Sequence, residues 1–318
     1  MQNAKYQSAN PPQVVDNFAF CISMAPLSTI YTMLRQHFGA LHGPEATRPW
    51  WPIFSADPPF EILVGAVLVQ QTRWETVEAA LLRLLDAELL APPALAASDP
   101  AILAALIRPA AFHTQKAPGL ISIARRIYER YAGSTALMLA QPTPALRAEL
   151  LALPRIGPES CDVIMLYGGG HAVFVVDEYT RRLFERVGAE GRTTNDGTTN
   201  GAKAAKATNA KIRRREAELS FWRRGSYEQL RLAIEADLSQ HSALREAHSA
   251  LAPLYADFHA QINEVCVRYC LARPRCDGPP ARRVYSLQEG RESYLGSEAG
   301  CPLRAVCAHY QAQGAPPA

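Results

Sequence analysis

Apolar residues along this chain come in long runs with helical spacing, separated by short polar corners, a pattern that predicts helices packed on helices. The run after Pro59, FEILVGAVLVQQTRWETVEAALLRLLDAELL, is apolar on nearly every side in its first half. Its second half repeats at i, i+3, i+4, so the stretch to about Leu90 reads as a buried helix leading into an amphipathic one. Asp99-Pro100 offers an N-cap with proline at the first helical position, opening a short helix to Ile107. Further helices are expected over His113–Tyr131, from Thr143-Pro144 to near Leu153, and over roughly Leu244–Tyr269. Val173–Val176 is the one run with strand character, and it is very short. The expected fold class is all-α.

Two polar segments interrupt this pattern. Ala189–Gly225 contains TTNDGTTNGAKAAKATNAKIRRR, repetitive and without apolar periodicity, and reads as a disordered insertion. Pro279–Gly300 reads as a second insertion. Residues 1–24 are expected to be disordered or an over-extension, with Met24 a candidate start. The apolar patch Phe18–Met24, preceded by Asp16 and ended by Pro26, is too short for a signal peptide or a membrane span. The expectation is a soluble, cytoplasmic chain with no membrane partner.

A chain of 318 residues can bury one large core or two ordinary ones. Its 33 Lys+Arg against 30 Asp+Glu leave +3, too even a balance to mark a nucleic-acid binder by charge alone. Nearly all the cations are Arg. Lysine occurs only at Lys5, Lys116, Lys203, Lys206 and Lys211, so chemistry that needs an amine has few candidates. Five of the seven cysteines fall between Cys266 and Cys307, a clustered odd set that favours reduced thiols and metal binding over disulfides.

Leu153-Pro-Arg155-Ile156-Gly157-Pro158 joins two helices through a tight turn, with Pro158 suited to the first position of the second helix. Amides at that helix start point outward and suit a phosphate, a grip on DNA backbone independent of sequence. Twenty residues after Gly157, the run Val173-Phe-Val-Val-Asp177 ends in a carboxylate and leads into the helical EYTRRLFERVG. Asp177 is placed to cap that helix, which is worth about 1 kcal/mol.

The combination LPxIGPE…VVDxYTRRLxxRxG resembles the helix-hairpin-helix superfamily of DNA glycosylases, typified by endonuclease III, over about Trp50–Cys307. The resemblance implies that Asp177 is the essential aspartate and that Arg155, Ile156, Gly157 and Pro158 form the DNA-binding hairpin. The family usually has glycine where Arg155 stands; arginine adds a possible phosphate contact and removes backbone freedom. Bifunctional members carry a Schiff-base lysine two residues after the second hairpin glycine, and Glu159 occupies that place; a carboxylate cannot form an imine. A monofunctional enzyme is therefore expected, with Asp177 and Glu159 as its catalytic carboxylates.

The segments Arg48-Pro-Trp50-Trp51-Pro and Gln70-Gln71-Thr72-Arg73-Trp74-Glu75 are similar to the 3-methyladenine DNA glycosylase III branch. That likeness implies a base pocket lined by Trp50, Trp51 and Trp74, with Gln70 filling the gap left by the flipped base. Electron-rich rings attract an alkylated purine, which carries positive charge, by about 1–2 kcal/mol once desolvated. The plain alternative is that the three tryptophans are core.

Cys270, Cys276, Cys301 and Cys307 form two pairs with five residues inside each. By chemistry four thiolates suit zinc or iron–sulfur equally. The resemblance implies a [4Fe–4S] loop, with residues 277–300 carrying an insertion between its second and third ligands. Arg268, Arg273, Arg275 and Arg304 would then be presented to phosphates. Two α-helical domains are implied, flanking a DNA-binding cleft: 58–168, a six-helix unit with the hairpin, and 25–57 joined with 169–318. The expected partner is double-stranded DNA with a damaged base, and the expected state a monomer. A bifunctional glycosylase–lyase and a non-catalytic lesion-binding protein are the competing readings.

Overall fold

The computed structural model describes residues 25–46, 50–188, 221–242, 244, 248, 250–281, 284–286, 291–292 and 300–313. Residues 1–24, Arg48 and residues 189–220 lie outside them, as do the expectations attached to each; residues 221–225, expected to belong to the disordered insertion, are instead part of the core, with Trp222 fully buried against Phe184 at 4.8 Å. Thirteen helices are described: α1 (Leu27–Phe38), α2 (Pro58–Leu68), α3 (Trp74–Asp86), α4 (Pro92–Ala96), α5 (Pro100–Leu106), α6 (His113–Tyr131), α7 (Thr135–Leu139), α8 (Thr143–Leu151), α9 (Pro158–Val163), α10 (Glu178–Val187), α11 (Tyr227–Ser239), α12 (Leu251–Arg268) and α13 (Ala308–Gln311). α9 continues as a π-helical turn, Ile164–Gly168. A two-stranded antiparallel ribbon, β1 (Val284–Ser286) with β2 (Arg291–Glu292), lies inside the second insertion. Among the described residues no helix is long and apolar enough to cross a membrane.

The chemistry of each helix start is local. Asp57 caps α2 through the Phe60 amide, ahead of Pro58 and Pro59. Asp99 accepts from the Ala101 and Ile102 amides, as its place before Pro100 predicts. Ser226 and Gln229 close a capping box on α11. α2 is buried along almost its whole length, and Phe60, Leu63, Val64, Val67 and Leu68 each gain roughly 1.5–3 kcal/mol from burial. It packs against α3, α6, α7 and the π turn, while α12 packs against α1, α10 and the π turn. Residues of α2, α3, α9, α10 and α12 line a cavity between these packed helices.

Eight helical segments lie between Pro58 and Gly168, where six were expected; α4 and α7 are five-residue pieces too short to show periodicity. The Val173–Val176 strand is a correction: the run is buried and without regular secondary structure. Its polar backbone is satisfied from α11 instead of from a sheet. The Phe174 amide donates to Glu235 Oε1 at 2.8 Å and the Val176 amide to Tyr227 Oη at 3.4 Å. Four buried apolar side chains therefore read as a strand while side-chain acceptors take the place of a neighbouring strand.

Candidate active site

A cavity of about 740 Å³ opens between α2, the hairpin and the start of α10. One wall is the loop bearing Trp50 and Trp51, whose rings meet at 6.4 Å and 69°. Trp51 meets Trp74 of α3 at 5.2 Å and 71°, edge to face. Glu61 holds this loop in place: its buried carboxylate accepts from the Phe54 amide (3.0 Å) and the Ser55 amide (2.6 Å). Gly65 permits the close seat of Trp51, since a Cβ there would lie 3.0 Å from Cζ2 of the indole.

Opposite stands Asp177, the N-cap of α10. Its Oδ1 accepts from the Thr180 amide (2.7 Å) and hydroxyl (2.8 Å). Its Oδ2 accepts from Asn263 Nδ2 at 2.9 Å and faces His259 Nε2 at 3.4 Å. Burial pushes the Asp177 carboxyl up, but the hydrogen bond and charge of His259, with the Thr180 donors, outweigh it and hold the group below the usual range. The carboxylate is thus kept ionised in a desolvated wall. Glu159, in the first turn of α9, is open to the same cavity. Burial against its walls, and then the Asp177 charge, raise it to about 7. The two carboxylates of one cavity are thus shifted in opposite directions, Asp177 down and Glu159 up.

The hairpin between α8 and α9 turns through Arg155, whose φ of 65° lies in the left-handed region that favours glycine. An L-residue there costs about 1–2 kcal/mol. The exposed Arg155 side chain lies across α6 at Gly119, with its guanidinium on Gln115 Oε1. Gln70 ties α2 to this turn, its Nε2 donating to Arg155 O at 2.7 Å and to Ser160 Oγ at 2.9 Å. Lys116 sits behind it, buried, with Nζ on Leu68 O and Gln70 O at 2.8 Å each.

A helix, a tight turn, a second helix and an aspartate capping the next are thus in place. Residues 64–209 match the model of the HhH-GPD superfamily base excision DNA repair proteins. That match spans a little under half of the chain, which is similar to the superfamily over that stretch. A Methanocaldococcus jannaschii protein carrying the name DNA repair glycosylase is 29% identical over 255 residues, spanning 80% of this chain and 92% of its own. Endonuclease III of Thermotoga maritima is 31% identical over 130 residues, 41% of this chain and 57% of its own. Among solved structures, the H. pylori 3-methyladenine DNA glycosylase bound to 1,N6-ethenoadenine is 25% identical with a TM-score of 0.51, covering 76% of this chain and 96% of the other. A trapped endonuclease III–DNA covalent intermediate has the same fold at 17% identity, with a TM-score of 0.55 over 92% of this chain and 100% of the other.

The structure brings Trp50, Trp51, Trp74, Gln70, Glu159 and Asp177 onto one cavity; Arg155, Ile156, Gly157 and Pro158 lie beside it in the hairpin and are not part of its lining. Sequence reasoning missed His259, Asn263 and Tyr167. His259 and Asn263 sit one turn apart on α12 and carried no motif. Tyr167 is turned toward them by the π-helical turn, which periodicity cannot reveal.

The cysteine loop is the other end of α10. Cys270, Cys276, Cys301 and Cys307 line one small pocket. Among the described residues no three His, Cys, Asp or Glu side chains are arranged as a closed metal-binding set. The donor chemistry nevertheless fits a thiolate-ligated group. Cys301 N donates to Cys276 O at 2.9 Å, so the two ends of the second insertion meet and the cysteine pairs are adjacent. Gly300, at φ 92°, makes that closure; a Cβ would fall 2.7 Å from Cys276 O. The Cys270 thiol is held down to about 6 by its hydrogen bond with Cys266 and by Arg186, while burial pushes Cys301 up to about 12 and Cys307 up to about 11. Arg268 does not face phosphates as expected: it is fully buried and paired with Glu264, because α12 turns it into the core. Arg304 pairs with Asp277 at 3.1 Å, and Arg273 and Arg275 are exposed.

Proposed function

We propose that this protein is a monofunctional DNA glycosylase that removes alkylated purines. The observation that carries the reading is Asp177, held ionised at the wall of a cavity that also carries three tryptophans, with Glu159 where an imine-forming lysine would stand. A flipped purine stacks among Trp50, Trp51 and Trp74, where cation–π attraction favours a positively charged base. The C1′–N bond breaks with its electron pair going to the base, which neutralises the alkylated ring. Asp177 stabilises the sugar cation, at about 4 kcal/mol for charges ~4 Å apart at an effective dielectric of ~20. Water then bonds to C1′ and its proton passes through Asp177 to solvent.

Lys116 supports the monofunctional reading, since its ammonium is buried and committed to two backbone carbonyls. The hairpin and the outward amides of α9 serve double-stranded DNA by gripping its backbone. Cys270, Cys276, Cys301 and Cys307 would hold a [4Fe–4S] cluster, with zinc the alternative for the same thiolates. Such a group supplies a structural cross-link, bracing the loop that carries Arg273 and Arg275.

The test is base release from duplexes carrying methylated, oxidised or mismatched bases, with borohydride trapping alongside. Methylated purines should be released, and Asp177→Asn should slow release about a thousandfold while DNA binding is kept. A covalent borohydride adduct would overturn the monofunctional reading. Full activity in Asp177→Asn would overturn the mechanism.

A further inference from the structure

The cavity is lined with acid. Glu75, Glu159, Asp177 and Glu178 all open to it, and among the described residues Arg73 is the one Lys or Arg in its lining. Such a wall attracts a cationic base and repels the phosphates that travel with a flipped nucleotide, so the backbone needs a cation at the mouth. The other cations around the site are already engaged. Arg155 lies on Gln115, and Lys116 Nζ on two backbone carbonyls. Arg181 donates to Gly225 O at 2.9 Å, and Arg182 to Cys270 O at 2.9 Å. Arg73 is exposed, and among the described residues its guanidinium has no hydrogen bond or ion pair. Its main chain is fixed all the same. As the N-cap residue of α3 its carbonyl accepts from the Thr76 amide at 3.1 Å, the Thr76 hydroxyl at 2.7 Å and the Val77 amide at 3.3 Å. The hydroxyl of Thr72, just before it, accepts from the Ala111 amide at 2.9 Å. Trp74, just after it, meets Trp51 edge to face. A free cation on an anchored stem thus stands one residue from a ring of the base cavity.

We propose that Arg73 binds a DNA backbone phosphate flanking the flipped nucleotide. The planar guanidinium donates to two phosphate oxygens at once, a contact that a point charge reproduces only in part. It holds the backbone at the mouth while the acidic interior takes the base. This grip is separate from that of the hairpin, which lies beside the cavity and outside its lining. The inference rests on the reading of the cavity as the pocket for a flipped base.

The experiment is equilibrium binding of the full chain, native, Arg73→Met and Arg73→Lys, to a duplex carrying a tetrahydrofuran abasic analogue, over a range of salt. In a parallel set of duplexes, one phosphate at a time around the analogue is replaced by an uncharged methylphosphonate. Arg73→Met should weaken binding roughly tenfold or more at low salt. The slope of log affinity against log salt should become shallower by about one. Arg73→Lys should restore the slope and only part of the affinity. One methylphosphonate position should weaken the native chain about as much as Arg73→Met does, and add nothing further in that variant. An unchanged slope overturns the proposal, as do methylphosphonate losses that add to Arg73→Met at every position. A loss that follows the identity of the opposite base, instead of the phosphate charge, makes Arg73 a base reader and also overturns it. A native chain with no preference for the abasic over the undamaged duplex overturns the base-pocket reading, and this inference with it. A preference that survives Arg73→Met undiminished overturns this inference alone.

Discussion

The Trp50–Trp51 wall hangs on Glu61, and Glu61→Gln isolates that dependence. The native carboxylate is fully buried and accepts the Phe54 amide on both oxygens, at 3.0 and 3.1 Å, and the Ser55 amide at 2.6 Å. Glutamine keeps one acceptor oxygen and sets an NH₂ donor against a backbone donor. One charge-assisted bond is lost, worth about 1.5–3 kcal/mol, and the surviving bond loses its charge. Relief from burying a charge offsets part of this, which leaves a destabilisation of about 2 kcal/mol. The loop is the part that loosens, and it carries the base-stacking rings, so KM for base release should rise while kcat changes little, because Asp177 is untouched. Urea unfolding gives the stability term and multiple-turnover base release gives the split. An unchanged unfolding midpoint, or a fall in kcat at constant KM, would refute the latch.

Three further outcomes are expected. Gly65→Ala places a methyl 3.0 Å from Trp51 Cζ2, so the indole must shift into the cavity; tryptophan fluorescence should change and base affinity should fall several-fold, roughly 1 kcal/mol. Glu159 is raised from 4.5 to about 7 by burial and then by Asp177, so its favourable contribution to folding is complete below about 4.5 and lost as pH rises through about 7. Glu159→Gln should therefore flatten the melting temperature between those pH values and gain on the native chain above them; parallel curves would contradict the shift. Cys301→Ser should reduce iron or zinc content in metal analysis of the purified chain and lower its melting temperature. Brown colour in the native protein distinguishes iron–sulfur from zinc, and a metal content indifferent to the substitution would remove the four-cysteine assignment.

Helices with strong periodicity or strong caps were legible in advance. His113–Tyr131 matches its expected span, and Asp99 and Asp177 both cap as placed. What escaped has a physical reason in each case. A five-residue helix such as α4 or α7 has too few turns for a stripe. The Val173–Val176 run is buried on all sides, and burial alone does not distinguish a strand from an extended segment held by Glu235 and Tyr227. Trp50, Trp74, Glu159 and Asp177 were named together because motifs mark them. His259 and Tyr167 reach Asp177 only through the crossing of α12 with a π turn, and one sequence carries no sign of such a crossing.

Gly300 closes the second insertion with a single backbone bond to Cys276, and this bears on how the chain tolerates added length. The ribbon in this insertion packs against α3, the helix that brings Trp74 to the cavity, so the insertion meets the base-pocket wall as well as the cysteine loop. Lengthening a loop whose ends already touch costs little more closure entropy, about 0.6 kcal/mol per doubling. Length is thus tolerated where Cys276 and Cys301 meet, while a change in the ribbon would be felt at the wall that carries Trp74.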